Sequence, residues 1–344
     1  MDKDRKEELW NVGFACGELI PDGYDAVSDT YSEVYYVAGY KNDHHATAML
    51  DPQLVRASYI SDGIGCNIVL VSIDCIGISK TDLDRIKDDL KGFVRDNNID
   101  AIHIASTHTH AGIDTLGLWG PIGIDGKNSA FMEKIAEVTK ETIVRSCENI
   151  RQGRMYFGYA DTGKIQRDSR YPEIYDKNIY RIRFAPEDGS KGLEIISYDA
   201  HAESLRSENT KVSADYPCYM GRKIKDETGN EFMFFAGAVG GLIMTHVLKD
   251  ERGLEYPYET NVIKTGEYLA DCVLSIDNER ELYPDLSTDT EVFDVPLDNQ
   301  LFATMSFLGV LSAKAVRGEG RYSLALRTEA SLLNLGGEEG INIA

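Results

Sequence analysis

Ile68-Val69-Leu70-Val71-Ser72-Ile73-Asp74 is a short β-branched run of the kind that fills a strand buried on both faces. Ser79 follows, three residues before Asp82, and the pair has the spacing of a helix N-cap. Leu83, Ile86, Leu90 and Phe93 then recur at helical spacing, Asn97-Asn98 makes a turn, and Ala101-Ile102-His103-Ile104-Ala105 reads as a second apolar strand. Strand, helix, strand with short joints is a parallel βαβ unit, so residues 67–106 set the fold class as α/β.

Working outward, Phe131, Ile135, Val138 and Thr142 share one face of a helix expected to end near Ile150. Strands are expected at 155–159, 179–184 and 193–198, and another buried one at 232–236 leads into Gly237-Ala238-Val239-Gly240-Gly241. Helices near 261–275 and 300–316 and a strand pair over 322–335 complete the reading. The expected fold is a mixed-sheet α/β sandwich containing parallel βαβ units. No repeat, low-complexity tract or Pro- or Ser-rich linker interrupts residues 1–344, which favours a single large domain.

The 344 residues include 57 Asp and Glu against 36 Lys and Arg, a formal net charge of −21. Such an acidic chain is unsuited to sequence-independent nucleic-acid binding, which needs clustered cations to displace counterions, and to an anionic membrane surface. No run approaches the ~18 apolar residues of a membrane helix. Met1-Asp2-Lys3-Asp4-Arg5-Lys6-Glu7-Glu8 is charged where a secretory signal has an apolar core, so the expectation is a cytoplasmic protein without stable membrane insertion. The six cysteines show no Cys-x-x-Cys pairing or zinc-knuckle spacing and read as free thiols.

Chemistry concentrates in Ser106-Thr107-His108-Thr109-His110-Ala111-Gly112, the loop leaving the second strand of the βαβ unit. Loops at the carboxyl ends of parallel strands build ligand sites. In extended backbone a His-x-His pair points both rings to one face; in an irregular loop the rings diverge, and one can bind a metal while the other faces a substrate. Asp74, at the end of the neighbouring strand, could accept the second ring proton of either histidine. His201, in Asp199-Ala200-His201-Ala202-Glu203, follows the expected strand at 193–198 and occupies a similar strand-end position. Imidazoles so placed suit zinc, which could polarise a carbonyl or lower the pKa of a bound water. His103, inside an apolar run, reads instead as a hydrogen-bonded core residue, and His44-His45 as loop residues. His246 could reach the same pocket if the glycines draw the backbone close.

These residues resemble the neutral/alkaline non-lysosomal ceramidases, in their N-terminal catalytic domain, over nearly the whole chain. The resemblance rests on Val12-Gly13-Phe14 with Ile20-Pro21, Gly39-Tyr40, Val71-Ser72-Ile73-Asp74, the Thr-His-Thr-His loop at 107–110, Asp199-Ala200-His201, Val212-Ser213-Ala214-Asp215-Tyr216 and Phe234-Phe235-Ala236-Gly237-Ala238-Val239-Gly240-Gly241. It implies that His108 and His201 are zinc ligands, that His110 stands beside the metal and stabilises the oxyanion of an amide under attack, and that Arg167 contacts substrate. Read from its residues alone, Arg167 either orients a carboxylate or carbonyl or makes a surface salt bridge.

Two departures from the family pattern shape the expectation. The family's Ser-Pro-Asn after the glycine-rich turn, whose serine takes part in cleavage, is here Met244-Thr245-His246, which disfavours ceramide itself as the substrate. The family's Pro-Gly-Glu, with its metal-binding glutamate, and a later tyrosine ligand are expected to fall beyond Ala344. Asp74 and Asp215 are then the in-chain carboxylates that could replace them, with Glu338 and Glu339 in a solvent-facing turn. The expected function is a zinc-dependent hydrolase cleaving an amide or related acyl bond of a small-molecule or lipid-like substrate by metal-activated water. The alternative is a non-catalytic relative holding a structural metal or a small polar ligand.

Overall fold

A computed structural model of the chain describes residues 8–242, 244–296, 304, 315–317, 324–336 and 341–343. Its main sheet has nine strands. Eight follow the order Glu231–Ala236, Leu193–Tyr198, Asn178–Pro186, Arg151–Asp161, Trp10–Leu19, Gln53–Ser61, Asn67–Ile73, Ala101–Ser106, and Arg280–Leu282 pairs beside Arg151–Asp161. The pairings at the two ends of this order are parallel, Leu193–Tyr198 with Glu231–Ala236 and Asn67–Ile73 with Ala101–Ser106; those between are antiparallel. The fold is therefore α/β with a mixed sheet and the βαβ unit read from residues 67–106.

That unit departs from the sequence reading in one detail. The expected single helix is two, α1 (Lys80–Asp89) and α2 (Lys91–Asp96), with Leu90 between them at φ −93° and ψ −2°. Ser79 caps α1 by accepting a hydrogen bond from the Asp82 amide, and Asn98 turns the chain at φ 51°. Ser79→Ala should lower stability by about 1 kcal/mol in urea unfolding, the usual worth of such a cap.

The helices α3 (Ser129–Glu148), α4 (Tyr216–Thr228) and α5 (Tyr258–Leu274) pack on one face of the sheet. α3 lies against Trp10–Leu19 so closely that a Cβ on Gly13 would meet the Ser146 carbonyl oxygen at 1.9 Å. The other face carries Trp10, Val12, Ile60, Leu70, Met155, Phe184, Ile195 and Met233 in one buried cluster. Three strands of this sheet, Trp10–Leu19, Gln53–Ser61 and the short Arg280–Leu282, were not among those expected; the alternation Trp10, Val12, Phe14 is the signal that marks the first.

A second, four-stranded sheet pairs Leu286–Pro296 with Leu324–Leu335, which in turn pairs with Ala315–Arg317 and Ile341–Ile343. The expected strand pair at 322–335 is thus one long strand whose principal partner comes from 286–296. The expected helix at 300–316 ends in strand at 315–316, and most of it lies outside the described residues, as do Glu338 and Glu339. Leu286, Leu333 and Leu335 join the cluster on the inner face of the main sheet, and Asp62 ties the sheets by accepting the Leu286 amide. His103 is half-buried rather than a core residue, and its Nε2 lies 2.9 Å from Thr288 Oγ1 on the second sheet. His103→Ala should cost about 1 kcal/mol, the net worth of one such hydrogen bond, by the same unfolding measurement.

The sheet curls. Its two end strands, far apart in strand order, pack together, and Ser72 Oγ donates to the Phe234 carbonyl across the gap. Among the described residues no helix is long and apolar enough to cross a membrane.

Candidate metal centre

The curl decides the site, because the loops after the two end regions of the sheet meet. His108 and His110 leave the Ala101–Ser106 strand, and His201 leaves Leu193–Tyr198. The loops join at an isolated parallel bridge, Thr109 with Ala202, where the His110 amide donates to the Ala202 carbonyl at 2.8 Å. Ser213 fastens the first of these loops from behind: its amide donates to the Ala111 carbonyl and its own carbonyl accepts the Thr109 hydroxyl at 3.0 Å.

Three half-buried imidazoles converge there, with one nitrogen of each within 4.8 Å of the others. Ring centroids are 4.6 Å apart for His108 and His201, 5.0 Å for His108 and His110, and 5.2 Å for His110 and His201. His108 holds a backbone φ of 61°, a left-handed conformation that a non-glycine residue adopts only under local constraint.

The proton positions follow from the partners. His108 Nδ1 lies 2.7 Å from the Ile76 carbonyl and His201 Nδ1 2.8 Å from the Leu242 carbonyl. A carbonyl can only accept, so both Nδ1 atoms carry the proton and both Nε2 atoms keep a lone pair. This corrects the expectation for Asp74. Its carboxylate is buried against Arg56, with Nη1 at 2.9 Å from both oxygens, and the Leu54 amide donates to it. The Ile76 carbonyl, two residues on, does for His108 what was expected of Asp74. Asp215 is not a metal carboxylate either: it caps α4 and accepts the amides of Ser204, Leu205 and Tyr216.

His110 Nε2 sits 3.4 Å from His108 Nε2, and its Nδ1 sits 3.4 Å from Glu203 Oε2. Burial, followed by the neighbouring charges of His108 and His201, pushes the His110 pKa down to about 3. Burial raises Glu203 to about 7. Tyr40 donates its phenol to Glu203 Oε2 at 2.6 Å and meets His110 edge-on, with centroids 5.4 Å apart. Gly39, at φ 112°, packs its backbone on the ring, where an added Cβ would lie 2.7 Å from His110 Cγ and Nδ1. Gly39→Ala should displace His110, with ~1–3 kcal/mol of backbone strain besides; thermal unfolding and the His110 ring resonances would check this. Glu203 was missed at the sequence level, although it stands two residues beyond His201 in the same turn.

The donor set fits a zinc ion. Neutral imidazole nitrogens are preferred zinc ligands, and His108 and His201 are each held by a hydrogen bond through the other nitrogen. Two nitrogens at 3.4 Å, one of them bearing a lone pair fixed by its partner, form a setting that a cation relieves. The remaining candidates stand apart. His246 is exposed and lies outside the cluster, its amide donating to Ile165. His44 and His45 are on a loop, as expected, with His45 3.0 Å from Asp43. Arg167 is exposed on the short strand Gln166–Arg167, which pairs with Met244–Thr245 just after Leu242, whose carbonyl holds His201. Thr245 is fully buried, its hydroxyl 3.1 Å from Ser204 Oγ.

Over 96% of its length the chain superposes on a neutral ceramidase from Pseudomonas aeruginosa with a TM-score of 0.76 at 15% sequence identity. The chain has the neutral-ceramidase fold. A ceramidase structure complexed with C2 gives a TM-score of 0.74, also at 15% identity and over 96% of this chain. The chain spans 61% and 62% of those two proteins, so the ceramidase fold is matched over about three-fifths of each. No family model matches the chain, and neither does any curated protein sequence.

Proposed function

We propose that the protein is a zinc-dependent hydrolase that cleaves an amide or related acyl bond in a small-molecule or lipid-like substrate. The observation that carries this reading is the convergence of His108, His110 and His201 on one point, two of them with Nδ1 tied to a carbonyl, in a neutral-ceramidase fold. His108 and His201 would hold the ion through Nε2. When bound there, zinc supplies Lewis acidity to an acyl carbonyl and to a water. His110 faces the same point and acts on the reacting group from beside the ion. Arg167, exposed on the strand that pairs with Met244–Thr245, is the group proposed to orient a carbonyl or carboxylate of the substrate.

The segment 244–246 narrows the substrate. Thr245, the one hydroxyl there, is buried against Ser204 and is not presented to a substrate. We therefore read the substrate as an amide other than ceramide. The same observation favours a second reading, a non-catalytic relative in which the ion is structural. Zinc content of the purified protein, followed by hydrolysis assays on N-acyl amides of short and long chain, separates the two. Stoichiometric zinc with hydrolysis supports the first reading; bound zinc with none on either series supports the second; no zinc uptake ends both.

A further inference from the structure

We infer that Glu203 is the positioning residue of His110, with Tyr40 as the anchor of Glu203; the inference rests on the metal-centre reading and concerns how this chain prepares its third imidazole. Glu203 is 1% exposed, and a carboxylate so deeply buried needs partners. Tyr40 supplies one, donating to Oε2 at 2.6 Å. The other oxygen, Oε1, has no hydrogen-bond partner, and neither does His110 Nδ1, which is buried and lies 3.4 Å from Oε2. An unsatisfied ring nitrogen therefore faces a carboxyl group with acceptor capacity to spare, across a 3.4 Å gap that a small rotation of either side chain closes to hydrogen-bond length.

The three imidazoles then share one plan. Each Nδ1 faces an oxygen: the Ile76 carbonyl for His108, the Leu242 carbonyl for His201, the Glu203 carboxylate for His110. Two of these oxygens belong to the backbone and are fixed by the fold. The third is on a side chain and is held in place by Tyr40, whose neighbour Gly39 packs on the His110 ring and keeps it from turning away. A carboxyl oxygen of Glu203 that accepts Nδ1–H leaves the Nε2 lone pair of His110 turned toward His108 Nε2, 3.4 Å away. His110 therefore meets the reacting group as an acceptor.

The test is the tautomer of His110 in the metal-free protein, read from two-bond proton–nitrogen correlations of 15N-histidine-labelled sample. The wild type should show His108, His110 and His201 all protonated at Nδ1. In Glu203→Leu the Nδ1–H signature should be lost from His110 alone and kept by the other two, which rely on backbone carbonyls. A wild-type His110 protonated at Nε2 overturns the inference, and that measurement decides it even where the leucine variant does not fold. An unchanged His110 in a folded Glu203→Leu overturns it as well. Zinc titration of the same samples keeps this apart from the hydrolase reading. A wild type that takes up no zinc but holds His110 at Nδ1–H, with the loss in Glu203→Leu, supports the positioning role while ending the hydrolase.

Discussion

His108→Ala should leave the protein unable to retain zinc through dialysis, and His201→Ala should do the same. Each removes an Nε2 whose lone pair is already presented by a fixed Nδ1–H, at 2.7 Å to Ile76 for one ring and 2.8 Å to Leu242 for the other. Disturbing only the outer partner of a metal-binding histidine typically weakens the metal by ~10–100-fold. Loss of the ligand itself should exceed that, so elemental analysis should fall from one zinc per chain to background. His246→Ala supplies the control. It is exposed and outside the cluster, and should keep the wild-type metal content. Wild-type zinc in both ligand variants would mean that the imidazoles meet for some other purpose.

Arg56→Met should destabilise the fold by about 3–5 kcal/mol, the cost of leaving one charge of a buried pair alone. Asp74 has no exposed surface, and Arg56 Nη1 reaches both of its oxygens at 2.9 Å. The guanidinium also lies over the ring of Phe232, 5.8 Å from its centroid, on the strand at the opposite end of the sheet order. The substitution therefore strands a carboxylate and weakens the closure of the curled sheet together. A loss of that size is a large share of the ~5–15 kcal/mol that holds a domain folded, so urea unfolding should show a much earlier midpoint. The double variant Arg56→Met/Asp74→Leu removes both charges and should recover most of the loss. A single variant within about 1 kcal/mol of wild type would show that Asp74 finds other partners. Because Asp74 precedes the Cys75-Ile76 turn that holds His108, zinc affinity should fall along with stability.

Local pattern made the βαβ unit legible, since the β-branched run 67–73 and the Ser79 cap are read from neighbours in sequence. The strand at 193–198 and α3 were visible for the same reason. The Trp10–Leu19 strand was missed although Trp10, Val12 and Phe14 alternate, because its glycines interrupt the pattern and make sense only against α3, and Leu286–Pro296 was missed because its partner lies some forty residues further on. At the site, the sequence offered the three histidines that the structure brings together, but the wrong supports for them. Asp74 and Asp215 were plausible by type and position, yet each is taken up by the fold, one by Arg56 and the other by the amides that begin α4 and the turn before it.

What the sequence determined by itself is the set of candidate donors: a His-x-His loop after one parallel strand and a histidine after another, because strand-end placement is a property of short stretches. What only the tertiary structure decided is that these donors meet. The strands that carry them stand nearly at opposite ends of the sheet order, and they come together because the accumulated twist of nine strands, sealed by Ser72 on Phe234 and by Thr109 beside Ala202, curls one edge onto the other. No window of sequence contains that curl. The same closure brings Tyr40 and Glu203 to His110 and hands His108 and His201 to backbone carbonyls, which is where the proton on each ring is settled.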